Sequence, residues 1–572
     1  MRRIHGLFFI IYLSFCACAC NKVKQENTLP ELPQQNAPNS AIRLYNFYGD
    51  GLDLRVNNFL LTNFDSTGTN PTTPTAVGAA YFPTGKWTTS GSGSPFTIPT
   101  SMLDKDGKAH IQIRYRGPTF PWHYGYIDTT LQSDPLHPAD FFVLYTGVLL
   151  RLPHSTVTPA NPSNFKIRVM NFGMPTDTLN LGGSATVTYS DGTPVAGALS
   201  HIGPDNTSDY VELPFGSYQF KVFMDDDHSK QLAGPGTFPT YACYDPNMPP
   251  QEGLFPFILT FRPGYTYTII VTPTIANFFC DPIPNYVVVN QYHIITDNSA
   301  NPNNTLALLQ AVNALPSSTV QFTIDGSPVA HPLDYTKTTP DFNPVVVGPH
   351  TIGAYDAEGK LLAEGTYNFS AYDYITAWVF EKDGKPGLTF SPNDMTSSAY
   401  LPINNDDGTD GSLNVTKYPI AWQCRFLNLS ADMPYATFTN DLLFFTDITT
   451  IGAPVASNAT VNLGQGMVPD RDWNIIIPIS FNSMREMVPQ NLPASIRVNQ
   501  SSPGPPVIAP GSLRYDINAL YMKDFISNPG LYTNGYLPLV EPGIYTVALM
   551  GRTAADAAPS EKAKLMIVKH FK

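Results

Sequence analysis

The chain runs to 572 residues, too many for one hydrophobic core, and its 54 prolines work against long helices. Charged residues make up 14% and hydrophobic residues 42%, with 34 phenylalanines and 30 tyrosines, a composition that suits pleated strands joined by proline-rich loops. The formal net charge of −13 lacks the basic footprint that grips phosphate backbones, so nucleic acid is not expected as a partner.

At the N-terminus Arg2 and Arg3 precede a nearly unbroken apolar run from Gly6 to Phe15, the pattern of an export signal and too short for a stable membrane span. The run ends in Cys16-Ala17-Cys18-Ala19-Cys20-Asn21. Ala17-Cys18-Ala19-Cys20 resembles a bacterial lipobox, in which a Cys after small residues is diacylated. Cys20 is the expected lipidation site, with Cys18 as the alternative; incidental cysteines in an ordinary cleaved signal are the plainer reading. Residues 1–20 are thus read as signal peptide and lipobox, and the polar residues 21–40 as a tether. Acyl chains at Cys20 would make the membrane a partner. Asn21 stands where an Asp favours inner-membrane retention, which points to the outer membrane. The basic Lys22 and Lys24 leave the periplasmic and surface-exposed faces both open.

A short phrase then returns four times: Ile42-Arg43-Leu44-Tyr45-Asn46, Ile167-Arg168-Val169-Met170-Asn171, Leu309-Gln310-Ala311-Val312-Asn313 and Cys424-Arg425-Phe426-Leu427-Asn428. Each Asn is followed, 11 or 12 positions on, by a turn dipeptide: Asn57-Asn58, Gly182-Gly183, Asp325-Gly326 and Asn440-Asp441. Asp325-Gly326 is a strong type I′ hairpin signal. A second phrase starts strands at Gly107, Pro214 and Gly348. A third closes modules: Phe142 to Gly147, Tyr265 to Val271 and Tyr374 to Phe380. In the fourth copy Pro542 to Val547 fits the second phrase, while Tyr545 to Gly551 fits the third. Apolar residues alternate with polar ones along these strands, which predicts one buried and one wet face, as in a sandwich. The repeats define four modules, at 41–151, 165–295, 305–390 and a divergent, enlarged 420–572, expected in an elongated array.

These phrases resemble the domain of unknown function 4397 family, whose members are often bacterial lipoproteins with tandem copies. The resemblance covers most of residues 41–395 and lacks the Pro-Asp-Ala stretch after the opening Asn. It implies an all-β, immunoglobulin-like β-sandwich fold and a cell-envelope location, and no known activity.

No zinc-protease, nucleophile-elbow, dinucleotide or phosphate-loop motif occurs, so neither catalysis nor a cofactor is expected. Asp406, Asp407 and Asp410 resemble part of a calcium loop but lack its acidic last ligand; a solvated linker is the plainer reading. Cys243 and Cys280 suit a disulfide in an oxidising envelope, or two separate thiols. Cys424 opens the fourth phrase at a core-facing position. Trp122, Tyr124 and Tyr126 crowd into an expected loop, and Trp87 lies in another. Such rings stack on sugars or peptides, or cover the end of a sandwich. Two functions follow as expectations. One is a lipid-anchored spacer with adhesion or ligand binding, its partner a glycan or an envelope protein. The other is an envelope hydrolase, such as a glycosidase, with paired carboxylates in module 4 or an insertion.

Overall fold

The computed structural model describes residues 38–48, 52–57, 59–62, 81–82, 87, 95–116, 124–153, 158–175, 182–224, 231–232, 234, 240–242, 256, 258–280, 283–297, 303–393, 398–402, 415–445, 460–469, 475–481, 487–489, 492–505, 507–531, 541 and 543–572. Among them the regular structure is strand, with only short 3₁₀ turns besides.

In every module the opening strand lies parallel to the closing strand. The pairs are Asn39–Asn46 with Ala139–Val143, Asn164–Asn171 with Thr266–Cys280, Leu306–Asn313 with Tyr374–Lys382, and Val415–Ser430 with Gly543–Gly551. Parallel neighbours need a crossover, and here the crossover is a second sheet. Its centre is an antiparallel pair: Asp53–Val56 with Lys108–Arg116, Thr186–Thr188 with Lys221–Phe223, Gln321–Ile324 with Gly348–Tyr355, and Tyr435–Asn440 with Ile496–Gln500. Apolar side chains from both sheets meet between them. In module 1 Ile42 and Leu44 face Leu54, Ile111 and Ile113. The fourth-copy ambiguity is thereby resolved. Gly543–Gly551 is the closing strand, and Ile496–Gln500 takes the place of the second phrase.

The turns follow backbone chemistry more closely than spacing. Asp325 and Gly326 both take positive φ, 49° and 81°, as a type I′ hairpin requires. Asn57 and Asp441 are likewise left-handed, at 49° and 53°. The second copy departs from expectation: its strand turns at Asp191-Gly192, not at Gly182-Gly183, with Gly192 donating to the Tyr189 carbonyl at 2.9 Å. The phrase from Phe142 to Gly147 also divides. Leu144 to Val148 form the turn of a hairpin between Ala139–Val143 and Leu149–Pro153.

The recurring Asn has one role in all four copies. It is fully buried each time, at 0% exposure. Its Oδ1 accepts the N–H two residues on: Tyr48, Gly173, Leu315 and Ser430. Its Nδ2 donates to carbonyls of the crossing chain. For Asn171 these are Gly183 and Ile202, for Asn313 Ser318 and Leu333, for Asn428 Met433 and Leu463, and for Asn46 Trp87. One side chain thus turns the strand end and satisfies buried backbone where the chain leaves one sheet for the other.

The expected wet face is absent from the opening and closing strands. Tyr45, Phe47 and Phe142 of module 1 pack against Met170, Phe172, Ile270 and Ile295 of module 2. Val312, Ala314, Trp378 and Phe380 of module 3 pack against Leu427, Leu429, Ala548, Met550 and Val568 of module 4. Phe215 of module 2 meets Leu308 and Tyr374 of module 3. Modules 1 and 2, and modules 3 and 4, therefore pack sheet to sheet. Each apolar side chain taken out of water contributes about 1.5–3 kcal/mol.

Within these faces the phrase's polar position meets its registered neighbour on the closing strand. Arg43 pairs with Asp140 at 2.6 Å, Arg168 donates to Thr268 at 3.2 Å, and Gln310 accepts from Thr376 at 2.9 Å. Arg425 is registered with Thr546, whose hydroxyl lies 2.7 Å from His570 Nε2. His570 also lies 3.1 Å from Gln310 of module 3. Beside it, Lys572 donates its N–H to Ser217 and accepts from Gln219, both of module 2.

Asn313→Ala is expected to strand two carbonyls and one N–H, at about 1–3 kcal/mol each, and Asn313→Asp to fail as well because it removes both donated bonds. Urea unfolding reads the loss; a change below about 1 kcal/mol would deny the clamp its structural role.

Burial, and then the Arg425 guanidinium, hold the His570 imidazole well below 6.5, so it is neutral in the fold and gains a proton on unfolding in mild acid. Its contribution is complete above about pH 6.5 and is lost as pH falls. Melting scans between about pH 7 and pH 5 should show a falling transition whose slope is shallower in His570→Gln.

Candidate functional site

The second sheet of module 1 leaves its outer face to solvent. Its strands run in the order Phe59–Leu60, Asp53–Val56, Lys108–Arg116, Tyr124–Gln132. Strand alternation sends Ala109, Ile111 and Ile113 into the core and His110, Gln112 and Arg114 outward. On the edge strand Tyr124 and Tyr126 are 40% and 69% exposed, while Leu131 is buried. Gly125 between them faces inward, where a Cβ would meet the Tyr115 ring at 2.1 Å. The missing side chain makes room for Tyr115, which packs on Tyr48 at 5.0 Å, and so fixes the strand that presents both tyrosines.

The polar groups of this face are held in place. Arg114 pairs with Asp53 and lies 5.0 Å from the centre of the Tyr124 ring. His110 Nε2 is 2.6 Å from Asp128, and Gln112 donates to the same carboxylate at 2.9 Å. Those bonds, Gln112's first, lower the Asp128 carboxyl below its ordinary value of 3.8 and keep it charged. The result is a sheet face with two exposed tyrosines, Tyr124 and Tyr126, beside fixed donors and acceptors.

The other sequence candidates fall in different places. Trp87, a possible ligand-binding residue from its loop-like stretch, is a core residue instead: it is 3% exposed and packs on Phe82. The Asn46 clamp draws the Trp87 carbonyl inward at 2.8 Å. Trp122, Cys18, Cys20, Asp406, Asp407 and Asp410 lie outside the described residues, as does Cys243. Cys280 ends the strand Thr266–Cys280, and its side chain also lies outside them. Ala242 and Phe279, the residues just before the two cysteines, are registered as parallel neighbours. Cys424 is a buried free thiol, its pKa pushed up by burial.

Five described carboxylates of module 4 are engaged in structural contacts. Asp432 accepts backbone N–H groups of Thr553 and Ala554; Asp441, Asp516, Glu541 and Glu561 pair with Arg497, Arg514, Lys221 and Arg552. Among the described residues no group of three His, Cys, Asp or Glu side chains is placed to hold a metal ion. Ser190 Oγ lies 2.5 Å from Lys569, whose amine burial pushes down to about 8. A hydroxyl beside such an amine has the outline of a nucleophile and its base. Ser190 is only 1% exposed, however, and the cluster joins modules 2 and 4.

Sequence reading marked Tyr124 and Tyr126 but missed Asp53, His110, Gln112, Arg114 and Asp128. For His110, Gln112 and Arg114 the signal was the outward set of polar residues at every second position between Lys108 and Arg114.

No family model matches the chain, and no curated protein matches it. Among solved structures, the Bacillus anthracis TIE protein aligns at 10% identity over 80% of this chain and 62% of that one, with a TM-score of 0.12. The chain spans less than two thirds of that protein, and a likeness so slight carries no argument.

Trp87→Ala is expected to cost about 3–5 kcal/mol in urea unfolding, whereas Tyr126→Ala should stay within about 0.5 kcal/mol. Equal effects would overturn this division between core ring and surface ring.

Proposed function

We propose that this chain is a lipid-anchored envelope protein whose packed β-sandwich modules carry a glycan-binding face on module 1. Lipidation at Cys20, an outer-membrane location and kinship with the domain of unknown function 4397 family belong to the same proposal, as does an immunoglobulin-like character for the modules. The observation that carries it is the pair of exposed tyrosines, Tyr124 and Tyr126, on a sheet face whose polar neighbours are already fixed. Sugar rings offer apolar C–H faces to aromatic rings and hydroxyls to paired donors and acceptors. Prefixed side chains lose little freedom on binding, which favours recognition by a shallow surface. The extensive packing between modules supports the spacer part of the reading. The proposal assigns no catalysis, and the glycosidase alternative gains no observation of its own.

Affinity electrophoresis through polysaccharide gels tests it. The Tyr124→Ala/Tyr126→Ala double variant should lose retention with an unchanged melting temperature. Retention that survives the double change on every polysaccharide tested would remove the glycan reading.

A further inference from the structure

The same face carries a charge that the rest of the chain does not foreshadow. The sequence has 46 acidic residues against 33 lysines and arginines. Yet the outward positions of this sheet hold Arg55, Lys108 and Arg114 against Asp53 and Asp128. Asp53 is engaged by Arg114, and Asp128 by Gln112 and His110. Arg55 and Lys108 are exposed, and among the described residues no ion pair engages either. Arg55 is registered with Gln112, and Asp53, two residues before it, with Arg114, itself opposite Tyr126. Two strand spacings and two residues of rise put Arg55 about 12 Å from Tyr126, within the reach of one short oligosaccharide.

We infer that the ligand of this face is an acidic glycan, a polysaccharide carrying carboxylate or sulfate groups, with a sugar ring on Tyr126 and an anionic group on Arg55. This rests on the glycan reading of the face. A guanidinium binds a carboxylate or sulfate through two parallel charged hydrogen bonds, which a neutral sugar does not offer. The chain as a whole is acidic and repels polyanions, so attraction of one must come from a local patch. Exposed charge pairs are screened by salt, so binding weakens as salt rises.

The test uses the purified chain in gels holding dextran, dextran sulfate or polygalacturonate. Retention is expected with at least one acidic polymer, in a salt-dependent way, and not with dextran; which polymer retains it tells sulfate from carboxylate. Arg55→Glu should weaken retention about tenfold, and Arg55→Lys, which keeps the charge but loses the paired hydrogen bonds, should fall between that variant and the unaltered chain, with melting temperatures unchanged in both. Equal retention by dextran, or no response to Arg55→Glu while the double tyrosine variant still loses binding, overturns the acidic ligand and leaves the glycan face standing. No response to the double tyrosine variant overturns both.

Discussion

The buried asparagine at the end of each opening strand is the constraint on which the rest depends. In a two-sheet module the chain must leave the first sheet and enter the second inside the protein, where water cannot satisfy the backbone. Asn313 meets that need with one acceptor and two donated bonds, to Leu315, Ser318 and Leu333. An apolar residue would leave those groups bare, and an aspartate would bury a charge. The crossing sets where the second sheet begins, and hence which residues face the core. Repetition of this one amide, with its donors and acceptor in the same arrangement, makes four divergent stretches fold alike.

A second consequence follows from the parallel pairing of opening and closing strands. Parallel strands are usually covered on both faces, and here the second cover is another module. The polar position of each phrase then sits inside a module interface, where it needs a partner in register. Arg43 with Asp140 and Gln310 with Thr376 are such partners. The buried Lys221–Glu541 pair at 3.2 Å and the His570 contacts serve the contacts among modules 2, 3 and 4 in the same way. Buried polar pairs add little net stability because desolvation offsets their attraction. Their effect is on specificity: strands paired in another register would leave Arg43 and Thr376 without these partners, and a module docked differently would leave Lys221 and Glu541 so.

Much of the scaffold was legible in the sequence because local chemistry and global fold agree. Alternation marked the strands, and Asp325-Gly326 has the backbone freedom that its hairpin uses. Spacing alone misled at Gly182-Gly183, where an insertion moved the true turn to Asp191-Gly192. Packing between modules was illegible because Tyr45 and Phe47 look like any strand residues; nothing local says that both faces of that strand are covered. Trp87 was legible only as part of a loop-like stretch, while its ring packs in the core on Phe82 and its carbonyl is held by Asn46, 41 positions away. Of the candidate face the aromatic pair could be read. Its polar partners could not, since Asp53, Arg114 and Asp128 converge only through strand register.

Comparison between modules within the chain narrows where binding can reside. The opening and closing strands are spent on the inter-module faces, so the second sheets are the surfaces left to vary. Module 3 has an edge strand, Leu361–Phe369, in the place of Tyr124–Gln132, paired in the same antiparallel way. There the exposed residues are Leu361, Glu364, Thr366 and Asn368. The two strands meet the same structural demands, and both show water an acid, a hydroxyl and an amide: Glu364, Thr366 and Asn368 in one, Asp128, Thr130 and Gln132 in the other. The first adds one leucine, Leu361, and the second adds two tyrosines, Tyr124 and Tyr126. Folding does not require exposed tyrosines at those positions, because module 3 folds without them. Their presence on module 1 is therefore unexplained by the scaffold and is what a binding function would add to it.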